Sequence, residues 1–573
     1  MSKWTNTTLG AFLNYERSFL DVHNVSAMLG MTSEEEAYKN VTATRKSGPL
    51  YEESGLIDLD AMISGTNNEA NGGQNEWAFL SYVTRLNYDY DHRYLIEFVG
   101  RRDGSSKLSV NQRWKNFFSI SGGWVLSNEK FMKEFDWLSN LKIRYNYGKT
   151  GNVEGIGNYE RFATISTGTT FFGNGSTLIG QPSLSLGGMT SNSRTWETIN
   201  SYDAGIDFGF LNNKLYGSFD YFKKTNNGMF IPVTYPATLG ASAPKTNNGK
   251  FNAKGWEFTL NWKDQIGDFK YNIGGSIGDV KSKIITLENN ENVPNPGINS
   301  NRLVGMPRNS IYVYETTGIF QTQAEADAFY AKYYWNENHT GPKPGNILPA
   351  PAEKGQNRLR PGARILVDRD NDGAITTKDI YFAGDNDPHL TFGFKLGFEY
   401  KGFDFQAFLQ GVGKQVILRQ GNFRAPFAAN YTLQNNSFIG KSWSDIAILD
   451  PIYDDPATRD KVESTVNLAN INTNTNYTIL SRNNAFNSFN YDNKDVSVQK
   501  SSYMRLKSLV IGYTIPRAIT TKAGISNLRV YFSGDDLWEW TKIKDGYDPE
   551  YGEQSNNTFP FSRLLSVGVN ITF

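Results

Sequence analysis

Polar and apolar residues alternate one for one through much of this chain, and a clean run closes it. From Arg563 to Phe573, Leu565, Val567, Val569, Ile571 and Phe573 fall on one face of an extended strand. Leu564, Ser566, Gly568, Asn570 and Thr572 fall on the other, because successive strand residues point to opposite sides. The alternation recurs in Leu138 to Lys149, where Leu141, Ile143, Tyr145 and Tyr147 oppose Lys142, Arg144, Asn146 and Gly148. In Lys254 to Lys263, Trp256, Phe258, Leu260 and Trp262 oppose Glu257, Thr259, Asn261 and Lys263. Charges on the second face exclude a dry core there and suit a water-filled one.

In chain order the pattern predicts about fifteen strands. Thr5–Glu16 and Val22–Met31 come first, followed by a polar, partly helical segment from Ser33 through Gly73. Strands are then expected over Trp77–Asp89, Tyr94–Arg101, Arg113–Leu126, Leu138–Lys149, Trp196–Phe210, Leu215–Lys224, Lys254–Lys263 and Phe269–Lys281. His389–Tyr400, Phe403–Val416, Tyr503–Thr514, Asn527–Trp538 and the terminal run complete the series. Short turns at 89–92, 211–214, 264–268 and 400–402 alternate with long segments at 153–195, 284–387 and 417–500. Short turns on one side and long loops on the other are the asymmetry of transmembrane barrels. Loops this long inside a soluble domain would argue against the strands. The expected fold is all-β: an antiparallel transmembrane β-barrel with long extracellular loops and short periplasmic turns. An odd, open sheet leaves two edges unpaired in lipid, and single-chain bacterial barrels have even strand numbers. The expectation is therefore an incomplete barrel that lacks N-terminal strands.

Composition agrees. Aromatics at 14% and 54 glycines beside a mean hydropathy of −0.50 suit many two-faced strands rather than one thick core. A formal net charge of zero offers no nucleic-acid footprint, and no apolar run of about 18 residues predicts a membrane helix. The start, Met1-Ser-Lys-Trp-Thr-Asn, has no apolar signal core, which again leads us to expect a fragment. Cysteine is absent, and His23, His92, His339 and His389 show no metal spacing. With no acid/base carboxylate pair and no phosphate-binding glycine loop, an enzyme is not expected.

Several stretches together carry a resemblance. Arg102-Asp-Gly-Ser-Ser106, Ser121-Gly-Gly-Trp124, Ser127-Asn-Glu129 with Phe131, Leu141-Lys-Ile-Arg144 and Tyr147-Gly-Lys-Thr-Gly-Asn152 recur in order. Tyr400-Lys-Gly-Phe-Asp404, Ser502-Tyr-Met-Arg-Leu-Lys507, Gly512-Tyr-Thr-Ile-Pro516, Leu528-Arg-Val-Tyr531 and Tyr547-Asp-Pro-Glu550 follow. As a set, from about residue 10 to the end, they resemble the barrel of the SusC/RagA type of TonB-dependent outer-membrane transporter. The resemblance implies that residues 1–573 are the C-terminal part of a barrel of 22 strands, with plug domain and energy-coupling box absent. It implies active import of a nutrient, an oligosaccharide or a peptide, across a Gram-negative, Bacteroidota-like outer membrane. TonB would supply energy and a SusD-like surface lipoprotein would be the partner. Asp535-Asp-Leu537 stands where relatives carry a Gln-Asn-Leu-like end. A passive porin and a secreted β-rich glycan-binding or glycan-cleaving protein stay open as alternatives.

Four site expectations follow. Lys142, Arg144, Glu257, Lys263, Lys395, Glu399 and Asp404 should face the lumen, and Leu141, Ile143, Phe258, Trp262, Phe394 and Phe398 lipid. Asp368, Asp370, Asp372 and Asp379, with Gly373 at position 6 and the Ala374 carbonyl at 7, have the spacing of a calcium loop, so a structural calcium is expected. An Asx-rich turn without metal is the alternative. Thr322-Gln-Ala-Glu325 opens a short helix through a capping box, either packed on its own loop or docking a partner lid. Trp443, Tyr453, Tyr477 and the asparagines around 470 to 493 could stack on and hydrogen-bond a sugar.

Overall fold

The computed structural model describes residues 1–44, 69–174, 177–186, 189–231, 245–287, 296–298, 303–351, 358–419, 475, 478, 484–543, 548–550 and 562–573. Its strands are β1 (Ser2–Phe19), β2 (His23–Thr44), β3 (Glu69–Tyr90), β4 (Tyr94–Ser105), β5 (Trp114–Val125), β6 (Leu138–Asn152), β7 (Ile165–Asn174) and β8 (Thr177–Leu186). There follow β9 (Glu197–Phe210), β10 (Leu215–Ile231), β11 (Thr246–Ile266), β12 (Phe269–Leu287), β13 (Gly297–Ile298), β14 (Ser310–Tyr314), β15 (Thr316–Ile319) and β16 (Arg364–Leu366). The last are β17 (Ile380–Asp385), β18 (His389–Tyr400), β19 (Phe403–Lys414), β20 (Val416–Leu418), β21 (Val498–Lys500), β22 (Tyr503–Thr514), β23 (Asn527–Thr541) and β24 (Leu564–Thr572). Helices α1 (Gln323–Tyr333) and α2 (Asn484–Tyr491) lie in loops.

Fifteen strands, β1–β6, β9–β12, β18, β19 and β22–β24, follow one another in a single sheet in chain order. Neighbours pair antiparallel, as the short turns require. The expected number of strands is thus observed, and an antiparallel, incomplete outer-membrane barrel is the fold. One expectation is corrected. Ser33–Thr44 and Glu69–Gly73 are strand rather than partly helical, since β2 and β3 stay in register from His23↔Tyr90 to Thr44↔Glu69. Ladder hydrogen bonds on both sides of β2 hold a polar stretch extended where its own residues have no apolar face to bury.

Two compact units divide the chain. The first comprises Met1–Asn212, Asp220–Lys254 and Ile285–Glu291. At its short-turn end Glu129 accepts hydrogen bonds from Tyr94 Oη (2.7 Å), Trp124 Nε1 (3.0 Å) and Arg93 Nη1 (3.0 Å). These contacts hold the Tyr94–Trp124 stack, 6.3 Å between rings, and leave the Glu129 carboxyl below its usual pKa, chiefly through the Tyr94 and Trp124 hydrogen bonds. A buried cluster of Leu108, Phe117, Val153, Ile156, Trp196 and Phe230 packs among its loops.

The second unit comprises Asn213–Phe219, Gly255–Ile284 and Asn292–Phe573. Its long loop between β12 and β18 folds into a module with its own core: Tyr312, Tyr314, Phe320, Tyr330, Leu359 and Ile375 are among the buried residues. Helix α1 starts where the capping box predicts, the Thr322 hydroxyl accepting from Glu325 N and Glu325 accepting from Gln321 N. Ala326 and Tyr330 bury one side of α1 in that core, so it packs on its own loop. The module rejoins the wall at His389, whose Nδ1 meets Asp279 of β12 at 2.8 Å and whose Nε2 meets Asp385 of β17 at 3.1 Å.

Candidate functional site

Period-two alternation puts the charged residues of each strand on one face, and the registers join these rows across strands. In the first unit Lys142 and Arg144 pair with Asp207 and Gly205 of β9. Arg144 gathers three carboxylates: Asp220 at 2.6 Å, Asp207 at 3.1 Å and Asp203 at 3.5 Å. Arg85 of β3 pairs with Glu97 of β4 on the same face, and Ser121 donates to Asn146 at 3.1 Å. The face opens into a hollow of about 590 Å³ lined by Glu97, Lys142, Arg144 and Asp203 among others.

The second unit repeats the arrangement with the opposite balance of charge. A hollow of about 610 Å³ is lined by Lys214, Lys263, Lys270, Lys395, Asp264 and Glu399, with Tyr216 and Trp262. Lys214 meets Asp264 at 2.7 Å and Lys270 meets Glu399 at 3.6 Å. Glu399 and Asp404 are directly opposed on β18 and β19, and Asp404 accepts from Arg529 Nε at 2.8 Å. A smaller hollow of about 360 Å³ includes Glu257, Ser276 and Gln410. The seven polar-face residues named from the sequence line a hollow or a charged row, and Phe258, Trp262 and Phe398, expected toward lipid, line the second unit's hollows as well. The ion-pair partners Asp203, Asp207, Asp220 and Arg529 went unnamed, although the same parity rule places them.

Higher on β22, buried Arg505 meets Glu539 (2.9 Å from Nε), Asp548 (2.6 Å) and Glu550 (3.3 Å). Tyr503 Oη and Gln410 Nε2 donate to Glu550 at 3.2 and 2.7 Å. The Asp548-Pro-Glu550 turn is thus fastened to the wall by charge-assisted hydrogen bonds, a role that its position in the sequence alone does not reveal.

The acidic loop brings together three of its five predicted donors. Ligand oxygens of Asp368, Asp370 and Asp372 lie within 4.8 Å of one another, and Asp368 Oδ1 is secluded from solvent with no hydrogen-bond partner. That donor set fits a hard cation. Asp379 is spent otherwise: fully buried, it accepts the backbone N–H groups of Arg369 and Thr376, both at 2.7 Å. Burial holds its carboxyl above the usual range despite those bonds. Ala374 N donates to Asp372. Trp443, Tyr453 and Tyr477 lie outside the described residues; of the neighbouring asparagines, Asn490 is buried and accepts from Arg364 N at 2.7 Å, so it is structural.

A single sheet whose strands are apolar on one face and charged on the other, with long loops at one end, is the wall of an outer-membrane β-barrel. The family model "TonB dependent receptor-like, beta-barrel" matches residues 3–352. The chain belongs to that family, and its place is the outer membrane. It is 26% identical over 99% of its length to TonB-dependent receptor P3 of Formosa agariphila, covering 52% of that protein. It is 25% identical over 86% of its length to TonB-dependent receptor SusC of Bacteroides thetaiotaomicron, covering 44%. The chain thus spans about half the length of the curated relatives it matches. The RagAB peptide transporter structure overlays the whole chain at a TM-score of 0.74 and 21% identity, over 56% of that chain, which bears on the fold alone.

Proposed function

We propose that this chain is the wall of a SusC-like active importer of a nutrient, an oligosaccharide or a peptide. TonB supplies the energy, and a SusD-like surface lipoprotein is the partner. What supports this is the charged strand face within each unit, with Lys142 and Arg144 in the first and Glu257, Lys263, Lys395, Glu399 and Asp404 in the second; such faces suit an aqueous lumen and are rich in bidentate and point-charge donors for polar cargo. RagAB bears the words peptide transporter; for this chain the cargo is a proposal between two polar classes. Cells carrying or lacking the intact gene, fed labelled oligosaccharide or labelled oligopeptide with and without an uncoupler, test it. Gene-dependent uptake that the uncoupler abolishes is expected; uptake insensitive to the uncoupler would mean a passive porin.

The secluded, unpartnered Asp368 Oδ1 favours a second element of this reading. Asp368, Asp370 and Asp372 take a calcium ion that stiffens the extracellular module, with Asp379 bracing the loop backbone.

A further inference from the structure

Five strands of the first unit, β3 to β6 and β9, can be followed row by row through their registers. One face turns Ile96, Phe118, Ile120, Ile143 and Tyr145 outward, and is the lipid face. Taken over Ala78–Tyr90, Tyr94–Gly104, Trp114–Trp124, Leu141–Gly151 and Thr198–Phe210, this face carries two charged side chains, Arg102 and Lys149, both cations; further toward the long loops β3 adds the exposed carboxylate of Glu76. The opposite face of the same strands mixes signs, with Arg85, Glu97, Asp103, Arg144 and Asp207 among them.

Their height follows from β5. Trp114 and Trp124 lie ten residues apart on the lipid face, about 33 Å along the strand, or about 25 Å after tilting, which is the height of the apolar band. Trp124 sits at the short-turn end with Glu129, so Trp114 marks the long-loop rim. Arg102 lies over the Trp114 ring at 5.7 Å, and Trp114 stacks on Tyr82 at 6.0 Å. Two strands from β4, Lys149 lies over Phe118 at 5.3 Å, against the Phe118–Tyr147–Tyr202 row. Among the described residues no carboxylate forms an ion pair with either cation, whereas adjacent Arg101 pairs with Asp103.

Two cations on aromatic platforms of the lipid face, neither paired with a carboxylate among the described residues, are the complement of an anionic headgroup layer. We infer that Arg102 and Lys149 form a docking site for the phosphate-bearing headgroup of an outer-leaflet lipid, with Trp114 and Phe118 against its apolar part.

The test is native mass spectrometry of the whole membrane protein from nanodiscs of phosphatidylcholine doped with bis-phosphorylated lipid A or with its dephosphorylated form. Two surface cations should favour the phosphorylated lipid on the order of tenfold. Arg102→Ala/Lys149→Ala should remove the preference, while Arg102→Lys/Lys149→Arg should keep it. Single Arg102→Gln and Lys149→Gln variants give the same reading at smaller amplitude if the double alanine variant fails to insert. Equal retention of the two lipids, an unchanged preference in a double alanine variant with intact strand content by circular dichroism, or equally tight binding of inorganic phosphate would each overturn the site.

Discussion

The wall and the loop module use the same branched and aromatic residues and dispose of them in opposite ways. Along the wall Ile143, Tyr145 and Val567 stand 43%, 52% and 77% exposed. In the module between β12 and β18, Ile311, Val313 and Ile375 are completely buried. The difference is one of solvent. A lipid-facing side chain leaves water by entering hydrocarbon, so its row needs no packing partner. The module stands at the loop end of the strands and must close its own core against water. Accessible surface therefore measures stability in the module and membrane contact in the wall.

A matched pair of truncations separates lipid contact from core packing. Ile311→Ala leaves a cavity in a closed core and should cost about 2 to 5 kcal/mol of module stability. Ile143→Ala should cost about 1 to 2 kcal/mol, since lipid fills the space and the transfer loss alone remains. Ile143→Arg should cost about 2 to 4 kcal/mol, and Arg144→Ile on the polar face much less. Hydrogen exchange of the module and urea unfolding in bilayers read the two sides. Equal losses for the two alanine variants would remove the distinction between lipid and core.

A second effect arises where the segment before β21 packs on the module. Lys494 is buried against the Tyr314 and Phe489 rings, 5.0 and 5.5 Å from its Nζ, and donates to the Asp492 carbonyl at 2.9 Å. Burial lowers its pKa from 10.5 to about 8, with Arg364 lowering it further and Asp492 and Asp495 opposing. The folded state thus releases a proton that the unfolded chain keeps up to its ordinary value. Stability of the module should rise as pH climbs from about 8 to about 10.5, by at most roughly 3 kcal/mol at about 1.4 kcal/mol per pH unit. Lys494→Met should flatten that rise in hydrogen exchange, and a profile that falls over the same interval would reverse the sign of the argument.

The smallest expected effect is calcium's. At ten times its Kd a single ion adds about 1.4 kcal/mol of local stability. Limited proteolysis of the whole protein should show calcium protecting the segment between α1 and β18, with no protection in Asp368→Ala/Asp372→Ala. Cleavage that ignores both calcium and chelator would leave only an Asx-rich turn.

The wall was legible because alternation is a local property. His389–Tyr400 and Tyr503–Thr514 begin and end where the pattern predicts. Strand ends beyond the apolar band were not legible: β10 runs to Ile231 and β12 to Leu287, past the last alternating residues, since ladder bonds from neighbours rather than facial chemistry hold them extended. Asp379 illustrates the same limit at the site. Its spacing suits a metal ligand, yet only the folded loop shows its oxygens turned to backbone N–H groups.

By itself, then, the sequence determined the strand series, the alternation of short and long connections and the family, all of which depend on period and on residue type over a few positions. Tertiary structure alone decided that Arg144 gathers Asp203, Asp207 and Asp220. It also decided that the Asp548-Pro-Glu550 turn closes on Arg505 and that a loop of polar appearance encloses a buried core. Those ion pairs join residues from 43 to 76 positions apart. Their formation depends on strand register and loop closure, quantities that no local pattern encodes.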